Sequence, residues 1–158
     1  PEEWKAEFSA CGGDKQSPIN IFKGDVQLES TLAKQPLRFQ NYDTVKGVSM
    51  TLENNGHAAV VSLAGKTPVT VTGGGLPSGV FRALQFHFHW GSGSETGSEH
   101  LISSRAYPME LHIVHFNTKY KNVSVAIKYP DGLAVLGFMY EVSIYLALSV
   151  SFVLLHVP

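Results

Sequence analysis

The run Gln85-Phe86-His87-Phe88-His89-Trp90-Gly91 constrains this chain more than any other feature. Side chains along a strand point alternately to two faces. With Leu84 to Trp90 as a strand, Gln85, His87 and His89 share one face, and Phe86, Phe88 and Trp90 share the other. One face is then wholly apolar, while the other carries two imidazoles beside an amide. That is a poor solvent surface and a good metal platform. Met109 to Phe116 reads as a second apolar strand, able to bring His112 as a third imidazole with Glu110 on the same face. Three neutral nitrogens and an open fourth position suit a catalytic zinc that holds water. Gln85 and Glu110 are placed to accept hydrogen bonds from the outer N–H groups of these histidines, which fixes tautomer and ring direction.

The pattern leaves other readings open. A lone histidine in an apolar strand is more often a hydrogen-bonded core residue than a ligand. A His-x-His pair followed by a glutamate and a later histidine also fits a cupin-type site for iron or manganese, with Glu95 as the glutamate. His115 lies three residues from His112, so on a strand it faces the opposite side, as a hydrogen-bonded core histidine.

The rest of the chain reads mostly as β. Short apolar or alternating runs recur at Leu37 to Phe39, Ser49 to Glu53, Ala58 to Leu63, Pro68 to Thr72 and Leu133 to Tyr140. Gly, Pro, Asn and Asp punctuate them. Val123 to Tyr129 is the one fair helical segment, a turn or two before Pro130. The expected architecture is mainly β: a large twisted sheet with few short helices and no βαβ alternation. The hydrophobic fraction of 44% and net charge of −1 over 158 residues argue for one folded domain and against disorder or a nucleic-acid partner. Pro1 to Lys5 is polar and has no signal-peptide character. Asn122-Val123-Ser124 is an N-glycosylation sequon.

Six blocks together resemble the α-class carbonic anhydrases, in that family's order and at about its spacing. They are Ser17-Pro18-Ile19-Asn20-Ile21, Asn54-Asn55-Gly56-His57, Gln85 to Gly91, Gly97-Ser98-Glu99-His100, Glu110 to His115, and Gly132 to Gly137. The stretches Val71 to Pro77 and Cys11-Gly12-Gly13 look most like the secreted and membrane-linked branch. The resemblance implies a mostly antiparallel central sheet and zinc-dependent, reversible hydration of carbon dioxide to bicarbonate and a proton. It implies His87, His89 and His112 as metal ligands, His57 as proton shuttle, and Val114 and Val135 as walls of the carbon dioxide pocket. It implies Gln85, Glu99, His100 and Glu110 as supports of the hydrogen-bond network around the metal, with Glu99 and His100 buried. Location is expected outside the cell or at its surface, as a monomer, with membrane association suggested by the family alone. In secreted relatives a cysteine placed like Cys11 pairs with a later one, and this chain has no second cysteine.

The resemblance covers Pro1 to about Val142, so residues 1–142 are expected to form a partial domain that is incomplete on its C-terminal side. The family's hydroxide-orienting threonine lies beyond that point, and little turnover is expected of the chain as it stands. Residues 143–158 form a divergent apolar tail. Val142 to Leu155 carries no charge, is too short to span a bilayer as a helix, and alternates like a strand. It is expected to be the product of alternative splicing or a mis-called exon end, and an aggregation hazard at a sheet edge. The competing expectation for the whole is a catalytically silent relative that binds through the same cleft.

Overall fold

The computed structural model describes residues 3–142 and the backbone of 149–155. Ten strands follow the chain as β1 (Asn20–Ile21), β2 (Arg38–Gln40), β3 (Val48–Asn54), β4 (Ala59–Gly65), β5 (Thr70–Thr72), β6 (Phe81–Trp90), β7 (Leu101–Ile102), β8 (Met109–Asn117), β9 (Leu133–Glu141) and β10 (Ser149–Leu155). The α-helices are single turns: α1 (Trp4–Glu7), α2 (Ser30–Ala33) and α3 (Val123–Ala126). Eight strands form one sheet along β10-β9-β8-β6-β4-β3, with β5 joining β6 to β2. Every pairing in this sheet is antiparallel. The two remaining strands, β1 and β7, pair in parallel. The fold is therefore the mainly β architecture expected, with a large antiparallel sheet and few short helices.

β6 organises the sheet because it is long enough to be shared. Its first residues, Phe81 and Arg82, pair with β5, and Gln85 to Phe88 pair with β4. Along its other edge it pairs with β8, with a register break between Ala83 and Gln85. An extra residue at that point reverses the alternation. Phe81 and Ala83 fall opposite Asn117 and His115, whereas Gln85, His87 and His89 fall opposite Val114, His112 and Glu110. Without the bulge, Phe81 and Ala83 would share a face with His87. With it, they join the core on the back of the sheet, where Val71, Phe81 and Ala134 pack together and Leu37 and Leu76 lean on them. That back face is less closed than an unbroken apolar surface would be. Trp90 is 58% exposed. A cavity of about 200 Å³ also opens between Tyr42, Met50, Leu63, Phe86, Leu111 and Ile113.

The connection from β8 to β9 corrects the expected helix over Val123 to Tyr129, because α3 stops at Ala126. Asn122 caps it, its side-chain oxygen accepting from Val125 N at 3.0 Å. The β-branched Val123, Val125 and Ile127 favour helix weakly, and Pro130 blocks extension. Gly132 then passes so close that a Cβ would lie 1.8 Å from the Ala126 carbonyl oxygen, so no larger residue fits. Buried Asn117 ties this turn to β6, donating to the carbonyls of Ser78 and Asp131, each at 3.2 Å.

Of the tail, residues 143–148 and 156–158 lie outside the described residues, and with them His156. Ser149 to Leu155 pairs with β9 from Ser149 opposite Glu141 to Leu155 opposite Val135. The strand-like alternation thus corresponds to a strand that covers the edge of β9. No helix among the described residues is long and apolar enough to cross a membrane.

Candidate metal centre

Two adjacent strands build the site. The His-x-His spacing puts His87 and His89 on one face of β6, and the register sets His112 directly opposite His87. The ligand nitrogens of the three residues lie within 4.8 Å of one another. Their rings stand edge-on or tilted to one another, with centroids 4.7–5.2 Å apart. Glu95 stands exposed in the loop after β6 and lies outside this group.

Hydrogen bonds aim two of the three rings. His87 Nδ1 donates to Gln85 Oε1 at 2.9 Å, which leaves Nε2 with its lone pair free. His112 Nε2 donates to Glu110 Oε1 at 2.5 Å, which leaves Nδ1 free. His89 Nε2 is the one buried side-chain polar atom among the described residues with no hydrogen-bond partner. Glu99 Oε2 lies 3.4 Å from it, outside hydrogen-bonding geometry. A buried, orphaned imidazole nitrogen facing two free lone pairs is what a metal-binding donor set requires.

The electrostatics agree. Burial holds His87 down to about 4, helped by the neighbouring His112 and His89. Burial also lowers His89, and the pull of Glu99 in the opposite direction does not cancel it. Neutral imidazoles at physiological pH are the form that binds a cation.

A second grouping, His100, Glu110 and His112, is equally close. Its carboxylate is already saturated. Glu110 Oε1 accepts from His100 Nδ1 at 2.7 Å as well as from His112, and Oε2 accepts from the backbone N–H groups of Glu99 and His100 at 2.8 and 2.9 Å. Four donors use the acceptor sites of an ionised carboxylate. Burial works to raise the Glu110 pKa, but the hydrogen bonds from His100 and His112 overcome it and hold the group far below the usual carboxylate range. The donors of a metal site therefore sit in the first grouping, and the second supports it.

The other expected site residues fall around this centre. Val114 and Val135 are register partners on β8 and β9, half-buried on the His112 face. His100 is buried, as expected. Glu99 is not: its side chain is 40% exposed. Only its backbone N–H is tied down, to Glu110, so the carboxylate faces the open side of the site near His89 and His112. Buried Gly97 brings the loop carrying both residues against β8, where a Cβ would lie 1.7 Å from the Pro108 carbonyl oxygen.

His57 is exposed in the turn between β3 and β4. The side chain of Asn54 accepts from Gly56 N, and that of Asn55 accepts from the N–H groups of His57 and Ala58, all at 2.9 Å. Gly56 has a φ of +85°, a conformation that favours glycine. The turn places His57 at the rim of a cavity of about 280 Å³ that His89, Phe88, Trp90 and Glu99 also line.

Sequence reasoning gave no role to Ser17 or Tyr42. Ser17 Oγ lies 3.1 Å from His100 Nε2 across 83 residues of chain. Tyr42 hydrogen-bonds the wholly buried His115, whose Nδ1 donates to the Ala134 carbonyl at 3.3 Å. Ser17 lies within a quoted block, but its partner is visible only once the strands pair. Nothing local marks Tyr42.

Comparison with known proteins agrees with this geometry. The family model for eukaryotic-type carbonic anhydrase matches residues 1–149. Carbonic anhydrase 15 of Mus musculus is 43% identical over 141 residues, which is 88% of this chain and 43% of that protein. Carbonic anhydrase 7 of Homo sapiens is 40% identical over 142 residues, 89% of this chain and 52% of that protein. Carbonic anhydrase 6 of Homo sapiens is 40% identical over 144 residues, 90% of this chain and 44% of that protein. The chain thus spans about half the length of the curated relatives it matches. With a match over nearly its whole length and three histidines gathered on one sheet face, the chain belongs to the eukaryotic-type carbonic anhydrases.

Proposed function

We propose that His87, His89 and His112 hold zinc and that the protein to which this sequence belongs hydrates carbon dioxide reversibly to bicarbonate and a proton. The observation that carries the reading is the orphaned, buried Nε2 of His89 beside the free nitrogens of His87 and His112. When bound, zinc acidifies water so that a nucleophile is available at neutral pH. The chain's own residues have three tasks. Gln85 and Glu110 orient His87 and His112. Val114 and Val135 offer an apolar wall beside His112 where an uncharged gas can rest. His57, at the cavity rim, carries the released proton to buffer, because an imidazole can accept a proton on one ring nitrogen and donate one from the other.

The test is His57→Ala in a longer form carrying the same first 142 residues. Shuttling follows the chemical step, so kcat is expected to fall while kcat/KM holds, and added imidazole should recover part of the rate. Loss of metal, or no rescue by imidazole, would remove His57 from this role.

The location we propose is extracellular or cell-surface. It is supported by the sequon at Asn122, which is exposed and whose amide nitrogen is not needed for the cap that its oxygen makes on α3. In a longer form made through the secretory route, peptide-N-glycosidase should produce a mobility shift that Asn122→Gln abolishes. An unchanged mobility in the wild type would count against this location.

A further inference from the structure

We propose, resting on the zinc reading above, that Glu99 is a displaceable fourth ligand to the metal and closes, in this chain, the position that water needs. One oxygen, Glu99 Oε2, lies 3.4 Å from His89 Nε2 and 3.8 Å from His112 Nδ1. Bonds of about 2.0–2.1 Å to one tetrahedral ion set any two of its ligand atoms about 3.3–3.4 Å apart. The carboxylate oxygen therefore stands from two of the histidine nitrogens at close to the spacing that ligands of a shared zinc have.

No hydrogen bond explains that position. His89 Nε2 has no hydrogen-bond partner, and the Glu99 side chain makes no hydrogen bond among the described residues. His112 donates from Nε2 to Glu110, so its Nδ1 carries a lone pair. An ionised carboxylate also only accepts. Acceptor thus faces acceptor, an arrangement that a cation between them makes favourable, since a metal takes its ligands deprotonated. The root of the side chain is fixed. Glu99 N donates to Glu110 Oε2 at 2.8 Å, and the N–H groups of Gly97 and Ser98 donate to the Tyr107 carbonyl at 3.0 and 2.7 Å. Tyr107 N donates in turn to Ser98 Oγ at 2.9 Å. The carboxylate end is not fixed: the side chain is 40% exposed, and the cavity of about 280 Å³ that it lines with His89 gives it room to swing out. Glu99 therefore closes a site that the three strand histidines build, and being exposed and movable it does not replace any of them. Water enters the fourth position when the carboxylate leaves, and the site then has the open position of a catalytic zinc.

The test uses the 158-residue chain loaded with cobalt(II), which accepts the same donors and absorbs visible light. Metal-bound water loses a proton near neutrality, and small anions bind where that water sits. With Glu99 on the metal, the wild-type spectrum is expected to stay constant from about pH 6 to 9 and to ignore added azide. In Glu99→Ala, which keeps the backbone bonds of the loop, the spectrum should titrate near neutrality and shift with azide. A partner that only touches a ligand histidine is worth about 10–100-fold in metal affinity, so the zinc Kd, from competition against a chelator, should rise at least about 10-fold in Glu99→Ala. A carboxylate that acted only through its charge would change the affinity but leave the wild-type metal open to water and azide. A wild-type spectrum that titrates near neutrality and responds to azide would overturn the proposal, whatever becomes of the variant. So would a Glu99→Ala chain with the spectrum and zinc affinity of the wild type. If the wild type bound neither cobalt nor zinc, the zinc reading would fall and take the proposal with it, whereas metal uptake with an open fourth position would overturn the proposal alone.

Discussion

His112→Ala is expected to leave the chain unable to retain zinc through gel filtration at neutral pH, while the wild type keeps one ion. His87 and His89 come from a single strand, and His112 closes the site from its neighbour. Two imidazoles from one strand cannot supply the three protein donors that a catalytic zinc site uses. The change also removes one donor from buried Glu110, whose other three remain, so the carboxylate stays paired. Metal content by elemental analysis, with circular dichroism as the control for folding, reads the outcome. A folded His112→Ala chain that kept stoichiometric zinc would place the metal elsewhere. Added imidazole should rescue the activity of His57→Ala but not the metal content of His112→Ala, which separates a proton carrier from a ligand.

The second large effect is acid sensitivity from His115. This ring is wholly buried on the back of the sheet, where Tyr42 and the Ala134 carbonyl occupy its nitrogens. Burial pushes its pKa from the ordinary 6.5 down to about 4, although the nearby backbone carbonyls pull upward. The unfolded chain therefore binds a proton near pH 6.5 that the folded chain refuses until about pH 4. The stabilisation is fully present above pH 6.5, is lost as pH falls toward 4, and changes no further below that. The gap amounts to about 3 kcal/mol. His87 and His89 add to the loss in the same direction when no metal is bound. For that reason the comparison is with His115→Asn, which cannot titrate. Urea midpoints measured from pH 7.5 to 4 should fall more steeply for the wild type than for the variant. Parallel curves would mean that His115 is not held neutral by the fold.

Much of this molecule was legible residue by residue. The strands around Ser49 to Glu53, Ala58 to Leu63, Met109 to Phe116 and Leu133 to Tyr140 sit within a residue or two of where their alternation put them. A period of two is a local property, and it alone places His87 and His89 on one face with Gln85. The single turn of α3 was overestimated because β-branched residues and Pro130 outweighed a weak helical pattern. Glu99 was expected to be buried, but the burial of a loop side chain depends on what lies over it, and no local pattern carries that information.

Only the tertiary structure decided how these pieces meet. The bulge after Ala83 extends β6 back to Phe81 while turning Phe81 and Ala83 to the opposite face from His87, a reversal set by pairing with β8 and β5 rather than by alternation. The register that sets His87 against His112, the link from Ser17 to His100 and the pairing of Ser149 to Leu155 with β9 are likewise non-local. The chain's own order determines which faces are apolar and which residue types are at hand. Which of them come within hydrogen-bonding or ligand distance depends on the sheet as a whole, because strand register is settled by burying one face of every strand at once.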